Sequence, residues 1–261
     1  MKLFATDYDG TLRMGDGISE ENIQAINEFR AKGNLFGVVT GRSYNNGYAV
    51  FRKSGEFPFD FIIVSNGAGG YDYEGNELFS HRVEKAAVEG VPLSVKLIEA
   101  CTELTKYPCG LNTGKTNYAF HTDYPDGADV DGRHYSPRSI LYETEDFMSA
   151  NAVCEDDKEC SKVVIRLKEL FGEYLNPVQN GRCIDITAKG VDKACGVAAL
   201  AKIYGVKKEN IWTSGDNYND IPMLEAFHGS AMESGVNKAK ESAEFVCKSV
   251  AQALKKAMES K

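Results

Sequence analysis

Two aspartates stand two residues apart directly after a short apolar run at the start of the chain. The run KLFAT leads into Asp7 and Asp9, and Gly10 and Thr11 follow at once. Carboxylates in this position can bind a hard cation such as Mg²⁺, attack a phosphorus atom, or transfer a proton. Asp and Gly also favour ordinary turns, so this segment alone leaves both interpretations open.

Polar residues follow three further apolar runs, and a lysine precedes the last of them. They are Thr40, Gly41 and Arg42 after NLFGVV, Asn66 and Gly67 after FDFIIVS, Lys193 near the start of a helix, and Asp216, Asn217, Asn219 and Asp220 after IWTSG. In open α/β sheets, ligands gather at the carboxyl ends of the strands. We therefore expect these residues to meet at one sheet edge.

The set contains the groups that phosphoryl transfer requires. Asp7 and Asp216 can supply carboxylates to Mg²⁺, and the backbone carbonyl of Asp9 can supply a third oxygen. A carboxylate that attacks phosphorus forms an aspartyl-phosphate, and a neighbouring acid must then protonate the leaving oxygen and later deprotonate water. Asp9 can reach that position if the backbone bends, and Gly10 permits the bend. The candidate donors to the phosphoryl group are Thr40, Gly41, Lys193 and Asn219.

The order of the elements predicts an α/β fold with a Rossmann-like, doubly wound parallel sheet. The first third alternates short apolar runs with helical patterns, such as the segment after Ser19, which is a suitable N-cap, up to Gly33. The same alternation returns near the C-terminus, where NDIPMLEAF, NKAKESAEFV and VAQALKKAMES are expected to be helical. We expect residues 1–82 and 187–261 to form this core, and residues 83–186 to form an inserted α+β cap.

Composition excludes several classes of function. The chain has 261 residues, 43% of them hydrophobic, and a formal net charge of −8, which disfavours binding to nucleic acid. No apolar run has the length of a membrane span, so no membrane partner is expected. The seven cysteines are irregularly spaced, which predicts reduced thiols in a cytoplasmic protein.

The four segments together resemble the motifs of the haloacid dehalogenase-like superfamily of phosphatases. DYDGTL is similar to the first motif, VVTGR to the second, KGVDKA at 189–194 to the third and GDNYND at 215–220 to the fourth. SNGA at 65–68 is typical of the Cof-type sugar-phosphate phosphatases, which carry a large α/β cap between the second and third motifs. The resemblance covers the whole chain.

The resemblance implies a role for each matching residue. Asp7 is the expected nucleophile and a Mg²⁺ ligand, and Asp9 is the expected general acid/base, with its carbonyl on the metal. Lys193 steadies the nucleophile and the phosphoryl oxygens. The remaining roles are phosphate binding by Thr40, Gly41 and Asn219, metal binding by Asp216, and orientation of the metal site by Asp220 from outside the ligand shell. In the cap, Asn180 and Arg182 are possible substrate contacts.

The implied function is Mg²⁺-dependent hydrolysis of small phosphorylated metabolites, sugar phosphates in particular, by a phosphoric monoester hydrolase. We expect a monomer or a small homo-oligomer. One alternative is a sugar phosphomutase of the same superfamily, which would isomerise the ester without releasing phosphate. Another is a non-catalytic phospho-acceptor module that is phosphorylated on Asp7.

Overall fold

The structure, a computed structural model, describes residues 1–15, 17–114, 116–130, 132–144 and 146–260. Its residues divide into two units. The first combines Met1–Ser80 with Val191–Lys261, and the second is His81–Gly190. The changes of unit thus lie two residues before the first predicted domain boundary and four residues after the second.

Short strands and helices make up most of the described chain. The strands of the described residues are β1 (Leu3–Thr6), β2 (Leu35–Val39), β3 (Phe61–Val64), β4 (Gly69–Asp72), β5 (Glu77–Ser80), β6 (Ala87–Val88), β7 (Val91–Pro92), β8 (Cys109–Asn112), β9 (Asn117–Phe120), β10 (Asp129–Val130), β11 (Arg133–His134), β12 (Ser149–Val153), β13 (Leu175–Asn180), β14 (Cys183–Ala188), β15 (Ile211–Gly215), β16 (His228–Met232) and β17 (Phe245–Cys247). The α-helices are α1 (Glu20–Ala31), α2 (Tyr48–Ser54), α3 (Leu93–Thr105), α4 (Ile140–Glu143), α5 (Asp157–Phe171), α6 (Lys193–Tyr204), α7 (Ile221–Ala226), α8 (Asn237–Ser242) and α9 (Val250–Glu259).

The described part of the first unit contains an eight-stranded sheet in the order β17-β16-β15-β1-β2-β3-β4-β5. The six strands from β17 to β3 run parallel, and β4 and β5 form an antiparallel hairpin at the edge. The predicted doubly wound sheet is thereby confirmed. Because β1, β2, β3 and β15 are parallel neighbours, the residues that follow them emerge at the same edge.

Local sequence explains why α1 begins and ends where it does. The Ser19 side chain accepts a hydrogen bond from the Asn22 amide, which confirms the predicted N-cap, and Gly33 follows the helix with a φ of 77°. One buried position of this helix is polar. Asn22 can be buried because both ends of its side-chain amide are hydrogen-bonded. Its Nδ2 donates to the Leu12 carbonyl, and its Oδ1 accepts from the Ala251 backbone amide.

One predicted helix near the C-terminus is partly wrong. The segment NKAKESAEFV was expected to be helical throughout, but α8 ends at Ser242 and Phe245–Cys247 form the edge strand β17. Its residues pair with Ser230–Met232 of β16, and the Phe245 ring lies 6.4 Å from that of Trp212. Pairing with the sheet therefore overrides the local helical preference of this segment.

The second unit is an α+β structure with its own core. Its main sheet, in the order β13-β14-β12-β8-β9, is antiparallel throughout the described residues. The charged segment after Glu155 forms α5, whose N-cap Asp156 accepts hydrogen bonds from two backbone amides. One stripe of α5, including Leu167 and Phe171, is buried in the core of this unit.

Two predictions from composition concern thiols and membrane helices. All seven cysteines are free thiols, as their spacing predicted. Within the ranges given above, none of the helices has both the length and the apolar character that crossing a bilayer requires.

Candidate active site

A buried lysine joins two buried carboxylates in the first unit. Lys193 Nζ lies 2.6 Å from Asp7 Oδ1 and 2.6 Å from Asp220 Oδ1, and its side chain is fully buried. Asp7 follows β1, Lys193 opens α6, and Asp220 precedes α7. The sheet and two helices thus bring together three residues that the sequence separates by up to 213 positions, counted as 220 − 7.

Burial and charge act in opposite directions on this group. Burial alone would lower the pKa of Lys193, but the carboxylates of Asp220 and Asp7 outweigh it, so the pKa is raised and the ammonium is retained. Burial raises the pKa of Asp7 above its usual range, against the pull of Lys193, and Asp220 and Asp216 add to the increase. Lys193 thus bridges two of the three carboxylates, and burial disfavours the charged forms of Asp7 and Asp216 in the absence of a further cation.

Asp216 lies against the bend after β1. Thr11 Oγ1 donates to Asp216 Oδ1 over 2.7 Å, while burial raises the pKa of this carboxyl. Gly10 has a φ of 87°, and a Cβ atom there would lie 2.7 Å from Asp216 Oδ2. Only glycine combines this backbone conformation with such a close approach, so Gly10 has a steric role in addition to permitting the bend.

The cluster has the oxygen donors that suit a hard divalent cation. Ligand oxygens of Asp7, Asp216 and Asp220 all lie within 4.8 Å of one another. Both oxygens of Asp220 are already engaged, because Oδ1 accepts from Lys193 and Oδ2 accepts from the amides of Asp216 and Asn217, each at 2.9 Å. Asp7 and Asp216 are therefore better candidates for metal ligands than Asp220, which instead orders the loop that carries Asp216 and Asn217.

The loop after β2 lies next to an unusual turn after β3. Thr40 is buried, and its hydroxyl accepts a 3.1 Å hydrogen bond from the Arg42 amide. The Thr40 carbonyl accepts from the Asn66 amide at 2.9 Å, and Asn66 Oδ1 accepts from Asn219 Nδ2 at 3.1 Å. Thr40 and Asn219, two predicted phosphate ligands, are thus linked through Asn66. Gly41 lies between Thr40 and Arg42 and is partly exposed.

The turn itself depends on a left-handed backbone. Ser65, Asn66 and Gly67 have φ values of 49°, 50° and 100°. A Cβ atom on Gly67 would lie 2.0 Å from the Asp192 carbonyl oxygen, just before α6. The sequence signature SNGA thus has a physical basis, since this turn must approach the start of the helix that carries Lys193.

Gly67→Ala should therefore destabilise the protein by about 3–4 kcal/mol, since left-handed strain adds to overpacking against backbone. Urea denaturation would measure the change. Gly55→Ala is the matched control, because Gly55 has a φ of 62° but nothing within 4 Å of the added methyl. It should lose only about 1 kcal/mol from the strain. Equal losses in both variants would contradict the packing explanation.

The Asp9 side chain is exposed and forms an ion pair with Arg42, for which the motifs predicted no role. Arg42 Nε and Nη2 donate to Asp9 Oδ2 and Oδ1 at 2.8 and 2.7 Å, a bidentate pair. The Asp9 side chain is 54% exposed and that of Arg42 is 30% exposed. Arg42 was visible as part of VVTGR, but nothing in the sequence indicated that it would pair with Asp9.

The two predicted cap contacts lie in the second unit. Asn180 ends β13, and its side-chain amide donates to Asp185 Oδ2 at 3.1 Å. Arg182 Nε donates to the Cys154 carbonyl at 3.1 Å, and the guanidinium carbon is 5.7 Å from the centre of the Tyr107 ring. Both side chains take part in contacts within their own unit, so their part in substrate binding stays a prediction.

Comparison with known proteins gives a consistent picture over the whole chain. The sequence model of the haloacid dehalogenase-like (HAD) hydrolases matches residues 4–255. The chain is 26% identical over 249 residues to the 5-amino-6-(5-phospho-D-ribitylamino)uracil phosphatase YbjI of Escherichia coli (strain K12), a match that covers 94% of this chain and 90% of that protein.

Two solved structures share the fold. A HAD/COF-like hydrolase from Plasmodium vivax has a TM-score of 0.77 and 25% identity, with 99% of this chain and 96% of that chain covered. The HAD subclass IIB sugar phosphatase BT4131 has a TM-score of 0.76 and 21% identity, with 98% of each chain covered. The likeness therefore extends across both units and not only the segment around Asp7.

Proposed function

The chain belongs to the haloacid dehalogenase-like hydrolases of the Cof type and is a phosphatase, and we propose that it hydrolyses phosphate monoesters of small metabolites through an aspartyl-phosphate on Asp7. Sugar phosphates are the substrate class that we favour. The observation that carries the proposal is the placement of Lys193 between Asp7 and Asp220, with Asp216 beside them.

In the first step, a carboxylate oxygen of Asp7 attacks the phosphorus atom and the bond from phosphorus to the ester oxygen breaks. Asp9, acting as an acid, gives its proton to the departing oxygen. Lys193 orients the Asp7 carboxylate through the 2.6 Å hydrogen bond and offers positive charge to the phosphoryl oxygens.

In the second step, water attacks the phosphorus of the aspartyl-phosphate. Asp9, now a carboxylate, takes the proton from that water, and the bond between phosphorus and the Asp7 oxygen breaks. Inorganic phosphate leaves, and Asp7 and Asp9 return to their starting forms. Thr40, Gly41 and Asn219 bind the phosphoryl oxygens in both steps, which is supported by the contacts that hold their loops together.

The metal proposed for this site is Mg²⁺, held by the carboxylates of Asp7 and Asp216 and by the Asp9 carbonyl. When bound, it would neutralise charge on the phosphoryl oxygens. A divalent cation would also account for the cluster itself, since three neighbouring carboxylates, two of them buried and that of Asp216 partly buried, have a single buried lysine beside them.

Removal of the metal should reduce the phosphatase rate to background, and added Mg²⁺ should restore it. Asp216→Asn should raise the Mg²⁺ concentration needed for half-maximal rate by about 10-fold or more, because a ligand oxygen loses its charge. The matched control is Asn217→Asp, a change in the opposite sense at the next residue, whose side chain caps the turn at Tyr218. Full activity in chelator would refute the metal requirement.

The substrate class is tested by a panel of phosphate esters with Mg²⁺, assayed for released phosphate. Hydrolysis of hexose phosphates supports the proposal, whereas isomerised ester without released phosphate would support the phosphomutase alternative. We further propose that the second unit selects the leaving group, with Asn180 and Arg182 as candidate contacts. Cytoplasmic location and a monomeric or small homo-oligomeric state remain predictions.

A further inference from the structure

Arg42 is fixed at its backbone and supported along its side chain. Its amide donates to Thr40 Oγ1 at 3.1 Å, and its carbonyl accepts from the Ser65 amide at 2.9 Å. The guanidinium carbon lies 4.9 Å from the centre of the Tyr8 ring and 5.6 Å from that of Phe51. These contacts place a cation directly after the phosphate-binding residues Thr40 and Gly41.

The aromatic surface below Arg42 is itself rigid. Tyr8 is 1% exposed, its hydroxyl donates to Glu56 Oε2 at 2.7 Å, and its ring lies 4.3 Å from that of Phe51. A guanidinium on such a surface keeps a favourable cation–π contact while its hydrogen-bond donors remain free to change partner. Tyr8 therefore provides a platform for Arg42.

The ion pair between Arg42 and Asp9 conflicts with the acid/base role proposed for Asp9. Both carboxylate oxygens of Asp9 accept hydrogen bonds from Arg42. To serve the leaving oxygen in the first step and the attacking water in the second, Asp9 must make a hydrogen bond to each in turn. In the free enzyme, the bidentate pair therefore engages both of the oxygens that this work requires.

A phosphate ester can resolve this conflict, because it brings an anion that suits the same donors. Guanidinium binds phosphoryl oxygens in the same bidentate geometry as a carboxylate. The ion pair is partly exposed in the first unit, with 30% of the Arg42 side chain and 54% of the Asp9 side chain accessible, so an anion from solvent can compete for it.

We propose that Arg42 is a positioning residue that holds the Asp9 carboxylate between turnovers and transfers to the phosphoryl oxygens of an arriving ester. The freed Asp9 carboxylate then takes a proton from solvent water and becomes the acid of the first step. The inference rests on the proposed role of Asp9 as acid and base. Binding of the substrate then releases Asp9 from Arg42, so Asp9 becomes available as acid and base only when an ester is bound and not when water alone fills the site.

The first test compares two esters in Arg42→Met, which removes the charge and keeps an apolar stem for Tyr8. Aryl phosphates such as p-nitrophenyl phosphate have a leaving group that needs no proton, whereas alkyl phosphates such as glycerol phosphate need one. We expect KM to rise about 10-fold or more for both esters. The aryl-to-alkyl ratio of kcat/KM should change by less than about 3-fold, because Asp9 is still free to act.

Two results would overturn the exchange. A ratio that shifts by more than about 10-fold in Arg42→Met would mean that Arg42 holds Asp9 in its working position. An unchanged KM in Arg42→Met would mean that Arg42 does not bind the phosphoryl group of the substrate. Arg42→Lys should have a KM between those of Arg42→Met and the unmodified enzyme, since lysine keeps the positive charge but cannot form the bidentate contact. The matched control is Arg52→Met, because the Arg52 guanidinium lies 4.2 Å from the Tyr73 ring, outside the site.

The second test needs no turnover and uses inorganic phosphate with saturating Mg²⁺. If Asp9 and phosphate compete for Arg42, Asp9→Ala should bind phosphate about 5-fold or more tightly than the unmodified enzyme. The gain should vanish when Asp9→Ala is added to Arg42→Met, and an equal gain in both backgrounds would overturn the exchange. Failure of the proposed function shows separately, as an aryl-to-alkyl ratio that Asp9→Ala does not change.

Discussion

Asp7→Asn is expected to lower the phosphatase rate by at least about 10³-fold while the protein stays folded. An amide cannot attack phosphorus, so no aspartyl-phosphate forms. The fold should survive because Lys193 keeps its 2.6 Å contact with Asp220. The change also removes a buried carboxylate whose raised pKa shows that burial disfavours its charged form. The measurements are kcat with Mg²⁺ and the midpoint of thermal unfolding.

The matched control is Asp192→Asn, the same change one residue before Lys193. Asp192 Oδ1 caps α6 by accepting from the Cys195 amide at 2.8 Å, and asparagine is an equally good N-cap. Its rate should stay within about 3-fold of the unmodified enzyme. If Asp7→Asn kept more than about 1% of the rate, covalent catalysis by Asp7 would be refuted. Trapped phosphoenzyme, detected by intact mass in Asp9→Asn, would support it independently.

Lys193→Met is expected to remove activity and to destabilise the protein by about 3–5 kcal/mol. The substitution keeps the volume but leaves the carboxylates of Asp7 and Asp220, which are 7% and 0% exposed, without their shared cation. Urea denaturation in chelator measures the loss without interference from bound metal. Lys202→Met, on an exposed position of the same helix, is the control and should change stability by less than about 0.5 kcal/mol.

A second substitution tests whether uncompensated charge causes the loss. Adding Asp220→Asn to Lys193→Met removes one of the two stranded carboxylates and should recover part of the stability. A double variant no more stable than Lys193→Met would show that the loss comes from packing. The phosphatase rate should stay at background in both variants, since neither has the cation beside Asp7.

The local parts of this protein can be predicted from the sequence. Strand ends that carry polar residues, the Ser19 cap and the glycine at position 33 all depend on contacts between near neighbours in the chain. The motif residues Asp7, Lys193 and Asp216 could be chosen from sequence because parallel strands bring the residues at their carboxyl ends to one edge. The hydrogen bond between Lys193 and Asp7 agrees with that reasoning, as does the Asp216 oxygen that lies within 4.8 Å of one on Asp7.

The tertiary structure decided the features that depend on distant partners. NKAKESAEFV is part helix and part strand because β16 offers an unpaired edge, which no local pattern records. Likewise, Asp9 and Arg42 are 33 positions apart, and only the fold makes them partners in a bidentate pair. The sequence by itself determined which residues we propose for the chemistry. Packing of distant segments decided that Asp9 pairs with Arg42, whose guanidinium lies over the ring of Tyr8.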